Sequence, residues 1–120
     1  MSMAGSAKER RRYTRVESDF PVQLRHVQQY NPTQLHNSVS CDVSVGGMQV
    51  SSFYFYPIHC KMMVEVFTSE DKESIRGIGR IVWIEQLPYQ ERYKIGMEFF
   101  ELSEDNKAQL RKTITNLVSA

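Results

Sequence analysis

Apolar and polar residues alternate along most of the chain, and only its last stretch departs from that period. FPVQLRHV, residues 20–27, puts Phe20, Val22, Leu24 and His26 on one side and Gln23, Arg25 and Val27 on the other. That is the signature of a half-buried strand. Asn31-Pro32 then marks a turn. TQLHNSVSCDVS, residues 33–44, predicts a second strand, with Leu35, Asn37, Val39, Cys41 and Val43 on one face. Its other face, His36, Ser38, Ser40, Asp42 and Ser44, is polar throughout. Gly46-Gly47 ends it, and glycines allow the positive φ that a tight reversal needs.

MQVSSFYF predicts a third strand, Pro57 interrupts it, and MMVEVFT predicts a fourth. SIRGIGRIVWIEQL is a long fifth, with Ile75, Gly77, Gly79, Ile81 and Trp83 in one alternation. Two glycines within a strand point to strong curvature or a bulge, as where a sheet bends into a barrel. Pro88 closes that strand, and RYKIGMEFFEL gives the sixth. At the C-terminus the period changes. Ser103 is a good helix N-cap, Glu104 and Asp105 suit the positive first turn, and Leu110, Ile114, Leu117 and Val118 fall on one helical face. The fold class expected is therefore mainly β: a six-stranded antiparallel β-barrel with a C-terminal α-helix. Residues 1–8 read as a disordered leader and residues 9–120 as one domain with an N-terminal arginine arm.

Composition changes this picture little. The 120 residues suffice for one core, and 41% apolar with 24% charged residues is ordinary for a globular chain. No apolar stretch is long enough to span a bilayer, and no apolar run follows the N-terminal charges as in a secretory signal, so a cytoplasmic location is expected. Cys41 and Cys60 lack a CxxC partner or a histidine cluster and read as reduced, semi-buried thiols. His26, His36 and His59 are scattered and read as strand or loop surface residues. No nucleophile–base pair, metal motif or phosphate loop is present in the sequence, and no enzyme activity is expected.

Charge does change the picture. Residues 1–15 carry Lys8, Arg10, Arg11, Arg12 and Arg15 against Glu9, a net +4, and the rest sums to −3. A near-neutral body with a basic arm does not suit duplex DNA, which favours a broad basic face. It suits a small anion. ERRRYTR, residues 9–15, reads either as a solvated tail or as one jaw of an anion site, with Arg11 and Arg15 offering two guanidinium forks. Such forks can also donate to O6 and N7 of guanine. The second element is DVSVGG, residues 42–47. A carboxylate at Asp42 can accept from the N1–H and amine of a guanine, the Ser44 hydroxyl can donate, and Gly47 permits close approach. An Asx-type turn capped by Asp42 is the structural alternative.

Taken together, Arg11-x-x-x-Arg15 and Asp42-x-Ser44-x-x-Gly47, followed by glycine-bearing strands and the ending IGMEFFELSEDNKAQLRKTI, resemble the PilZ domain family from about Glu9 to Leu117. Both signature motifs are intact. The resemblance implies a bacterial barrel that binds the second messenger cyclic di-GMP and signals to an effector protein, with no cofactor. It implies that Arg11 and Arg15 grip phosphate and guanine, that Asp42 and Ser44 hydrogen-bond the base, and that Gly47 shapes the turn. Arg10, just before the first motif arginine, would accompany binding of a stacked ligand dimer; Arg12 is a weaker candidate. Trp83 and Tyr13 read as packing residues. Two other readings are a single-strand nucleic-acid module, which would want basic residues interleaved among Phe53, Tyr54, Phe55 and Tyr56, and a ligand-independent adaptor using YFYPI as an apolar patch.

Overall fold

The computed structural model describes residues 15–27, 35–68 and 74–119. The expected leader, Tyr13 and the arginines before Arg15 lie outside these residues. Seven strands and one helix follow in order: β1 (Val16–Glu17), β2 (Pro21–His26), β3 (His36–Val43), β4 (Gly47–Ser52), β5 (Lys61–Val66), β6 (Ile75–Gln86), β7 (Tyr93–Glu101) and α1 (Glu104–Ser119). All pairings are antiparallel, in the order β1-β3-β2-β5-β6-β7-β4. The β3–β4 pairing closes this sheet on itself. The result is a closed six-stranded barrel, with the two-residue β1 laid beside the end of β3 and one C-terminal helix against it.

Period two explains most of the interior. Val22 and Leu24 of β2, Met62, Val64 and Val66 of β5, Ile75 and Ile81 of β6, and Ile95 and Met97 of β7 alternate into the core. Of the two glycines expected to mark curvature or a bulge in the fifth predicted strand, Gly79 stands at an irregularity. The register of β6 against β7 shifts between Ile78 and Gly79 and again between Ile81 and Trp83. Gly96 lies opposite Trp83, and the indole packs so closely on it that a Cβ there would overlap the ring. Trp83 is thus a packing residue, as the sequence suggests.

Three points go beyond or against the expectations. First, the polar face of β3, whose direction the sequence left open, turns inward. Ser38 and Ser40 are buried at 7% and 2% exposure, whereas Val39 on the opposite face is 39% exposed. Burial of a hydroxyl requires a partner, and each serine has one. Ser38 Oγ donates to the Val22 carbonyl at 3.1 Å, and Ser40 Oγ accepts from Phe20 N at 2.9 Å and lies 2.7 Å from Ser18 Oγ. Second, the predicted third strand stops at Ser52. Ser52 Oγ accepts from Tyr54 N at 3.0 Å and turns the chain out of the sheet. Third, Val118 is 62% exposed. The helix buries Leu110, Thr113 and Ile114 instead, with Leu117 packed beside them. Those positions follow the i, i+3, i+4, i+7 rule, and Val118 lies about 100° further round. The N-cap holds: Ser103 Oγ accepts from Asn106 N at 3.2 Å, and the Ser103 carbonyl accepts from Lys107 N at 2.8 Å.

The histidines also differ from expectation. His59 is exposed at φ 73°, but His26 and His36 are half-buried around Tyr56. Tyr56 is fully buried, and its hydroxyl is hydrogen-bonded to His36 Nδ1. His36 also stacks on Tyr54 at 3.7 Å between ring centroids. His26 Nδ1 lies 3.0 Å from Cys60 Sγ. Burial pushes the Tyr56 phenol far above the ordinary tyrosine range, and burial, then His26, holds His36 below the usual imidazole value. The signs follow from linkage. The unfolded chain releases the Tyr56 proton at about pH 10 and the folded chain does not, so stability falls as pH rises above that point. His36 acts oppositely: the unfolded chain takes up a proton below about pH 6.5 before the folded one does, so stability falls as pH drops. Urea midpoints measured from mild acid to strong alkali should show both limbs, and Tyr56→Phe should flatten the alkaline one. Identical alkaline slopes in the two proteins would refute the assignment.

Candidate functional site

The polar ledge on the outside of the barrel is built by one irregularity in β3. The β3–β4 register shifts between Ser40 and Asp42, leaving Cys41 as an extra residue. Such a bulge reverses which residues face inward. Before it Ser40 points in, opposite Val50; after it Val43 points in and Asp42 points out. Asp42 therefore does not share a face with Ser38 and Ser40, as strict alternation predicts.

β1 brings the arm to this ledge. Val16 pairs with Val43 and Glu17 with Asp42, and Ser18 N donates to the Cys41 carbonyl at 3.0 Å. Arg15, one residue before β1, turns its guanidinium onto the ledge, where Nη1 donates to Asp42 Oδ1 at 2.8 Å. The side chains are 23% and 19% exposed, so the pair is shielded but reachable. A part-buried, charge-assisted hydrogen bond of this kind is stronger than an exposed surface pair.

Ser44 sits deeper than an outward-facing hydroxyl would. It is 2% exposed, and its Oγ accepts from Gly46 N and Gly47 N at 3.2 Å each, with the Gly47 carbonyl 3.3 Å away. Ser44 N also donates to that carbonyl at 2.8 Å. The hydroxyl thus holds the β3–β4 turn closed. No described glycine has a positive φ, so the turn does not use that freedom. Gly47 is required for another reason: it lies under β7, and a Cβ there would overlap the Met97 carbonyl oxygen. Arg10 and Arg11, with Arg12, fall outside the described residues. Of the sequence-predicted residues, the structure thus brings together Arg15, Asp42, Ser44 and Gly47.

The neighbours of Asp42 were not visible as a set in the sequence. Cross-strand pairing continues the row through Gln49 and Gly96 to Trp83, and Lys94 and Arg92 are close enough to act on the Cys41 thiol. Burial is the larger effect there and pushes that thiol up. Only strand register, which no single-strand pattern contains, assembles this row. A groove of about 530 Å³ lies elsewhere, lined by Arg25, Leu35, Met63, Glu65 and Arg76 among others. Among the described residues no group of three or more His, Cys, Asp or Glu is placed to hold a metal ion. No helix among them is long and apolar enough to cross a membrane.

Solved structures share this architecture. MotI/DgrA, the inhibitor of motility of Bacillus subtilis, superposes with a TM-score of 0.72 at 21% identity, over 92% of this chain and 52% of that one. The PilZ domain of YcgR from Escherichia coli, solved with c-di-GMP, gives 0.70 at 17% identity, over 92% of both chains. The c-di-GMP complex of MrkH from K. pneumonia gives 0.73 at 18% identity, over 91% of this chain and 52% of that one. The chain thus spans about half the length of MotI/DgrA and MrkH. At these identities the likeness is one of fold. No curated protein matches the sequence significantly. The family model of the PilZ domain matches residues 9–116, from the arginine cluster to the last turns of α1, and the chain belongs to that family.

Proposed function

We propose that this chain is a cyclic di-GMP receptor that acts as an adaptor, passing the signal to a partner protein rather than catalysing a reaction. The observation that carries the reading is the meeting of Arg15 and Asp42, 27 residues apart in sequence, on the outside of the barrel. A cation that can grip phosphate and a carboxylate that can accept from guanine thus stand at hydrogen-bond distance from one another. Family membership supports the reading, as do the ligand-bound structures of YcgR and MrkH.

In this reading the two groups satisfy each other until ligand arrives. The guanine edge takes Asp42, and the freed guanidinium moves to a phosphate or to the purine. Arg11 supplies the second fork, Arg10 assists a second ligand molecule, and Gly47 keeps the turn flush with β7. Ser44 contributes by holding the turn that supports Asp42. Exchanging one charge-assisted hydrogen bond for several offsets the entropy of ordering the arm. The ordered arm then alters the surface offered to the partner. A cytoplasmic setting, without duplex DNA binding or membrane insertion, belongs to the same proposal.

Calorimetric titration of the chain with cyclic di-GMP tests it. Saturable heat is expected, with one or two ligand molecules per chain, and GMP should give none. Absence of heat at about 100 µM ligand, where a binding free energy of roughly −5 to −6 kcal/mol would register, would overturn the proposal.

A further inference from the structure

At the end of β4 the chain leaves the sheet and shows three aromatic residues in succession, Phe53, Tyr54 and Phe55. Two neighbouring residues at the start of β7 meet them. The Arg92 guanidinium lies 4.5 Å from the Phe53 ring centroid, and the Tyr93 ring meets Phe55 edge-on at 5.8 Å. Phe53, Arg92, Tyr93 and Phe55 therefore form one connected cluster, yet Phe53 and Phe55 remain 60% and 59% exposed. The hairpin that carries Arg92 is closed by Leu87 N donating to the Arg92 carbonyl at 2.9 Å, and Tyr89 stands fully exposed at its tip. Contiguous exposed aromatics joined by an arginine are what binding faces concentrate.

The charge of the occupant follows from Arg92. No carboxylate among the described residues forms an ion pair with it, and its Nε is buried without a hydrogen-bond partner. Glu85 is opposite Lys94, two positions on from Arg92, in the β6–β7 ladder. Arg92 thus lies over a ring with no partner for its terminal N–H groups among the described residues, an arrangement that leaves them open to a bidentate carboxylate. A second copy docked with Arg92 on the two-fold axis would bring the same cation against itself. We propose that this face docks an acidic, apolar segment of another protein, an aliphatic side chain against Phe53 and Phe55 and a carboxylate on Arg92. The inference stands apart from nucleotide binding.

The test uses ¹⁵N-labelled protein and two short peptides, one of alternating Glu and Leu and one of alternating Lys and Leu. The Glu peptide should shift amide signals at Phe53, Phe55 and Arg92 and bind about 10-fold tighter than the Lys peptide, the size of one lost hot-spot contact. Arg92→Glu should invert that preference, and Phe53→Ser should weaken the Glu peptide about as much. Phe53→Ser should titrate with cyclic di-GMP as the wild type does, so a failure here is separable from failure of the receptor reading. Absence of shifts at about 1 mM peptide, in the range of the weakest specific complexes, overturns the proposal, as does equal affinity for the two peptides. Sedimentation with phosphatidylglycerol vesicles, lost in Phe53→Ser, would assign the face to a membrane instead and overturn it too.

Discussion

Arg15→Ala and Asp42→Ala are each expected to weaken cyclic di-GMP binding by about 1.5–3 kcal/mol, roughly 10- to 150-fold. The magnitude is that of one charge-assisted hydrogen bond. The two losses should differ in a way the ligand-free geometry dictates. Arg15 and Asp42 are joined at 2.8 Å before ligand arrives, so each must leave the other to bind. Asp42→Ala removes the base contact but also frees Arg15 beforehand, which partly offsets the loss. Arg15→Ala loses the phosphate contact and leaves a part-buried carboxylate without its cation. The double variant should therefore lose more than the two single losses added together, because each single variant is spared the cost of parting the pair and the double is spared it only once. Calorimetry of all four proteins reads this directly, with circular dichroism to show that each is folded. Unchanged affinity in both single variants would discard the site, and strict additivity would discard the coupling.

Gly47→Ala is expected to destabilise the fold by about 2–3 kcal/mol, in the upper range for forcing an extra carbon into a packed position, and to lower the thermal midpoint by roughly 10 °C or more. The obstacle is the Met97 carbonyl oxygen, part of the β7 backbone that pairs with β4, so no side chain can swing aside to make room. The β4–β7 ladder must part locally instead. This effect differs from a loss of ligand contact, since it appears in the free protein. A thermal midpoint within a degree or two of wild type would show that β7 yields at little cost, and that Gly47 serves the ligand alone.

Arg15, Asp42 and Gly47 also mark what the sequence could and could not disclose. The barrel and its helix were legible because period two in six segments and a helical stripe at Leu110, Ile114 and Leu117 each imply one burial pattern. Which face turned inward was not legible in β3, where buried hydroxyls are satisfied by Val22, Ser18 and Phe20, partners contributed by another stretch of chain. The partnership of Arg15 and Asp42 was suggested only by motif resemblance, because their approach depends on the β1–β3 ladder. Gly47 was singled out for conformational freedom and for close approach to a ligand, whereas the constraint visible in the fold is the space left by a strand distant in sequence. Ser44 was expected on the surface, and hydrogen bonds to the two glycine amides draw it into the turn.

The bulge at Cys41 has a further meaning for how such a chain can vary. Position 41 is the extra step between two rows that already alternate correctly, since Ser40 faces Val50 and Asp42 faces its next neighbour Gln49. Removing it would let Ser40 and Asp42 follow one another directly, with the carboxylate still in water. Keeping it but drawing it into the ladder would do the reverse, rotating that carboxylate into oil while a valine took its place outside. Which side of the wall carries the message is therefore decided by the bulge itself and not by the count of residues.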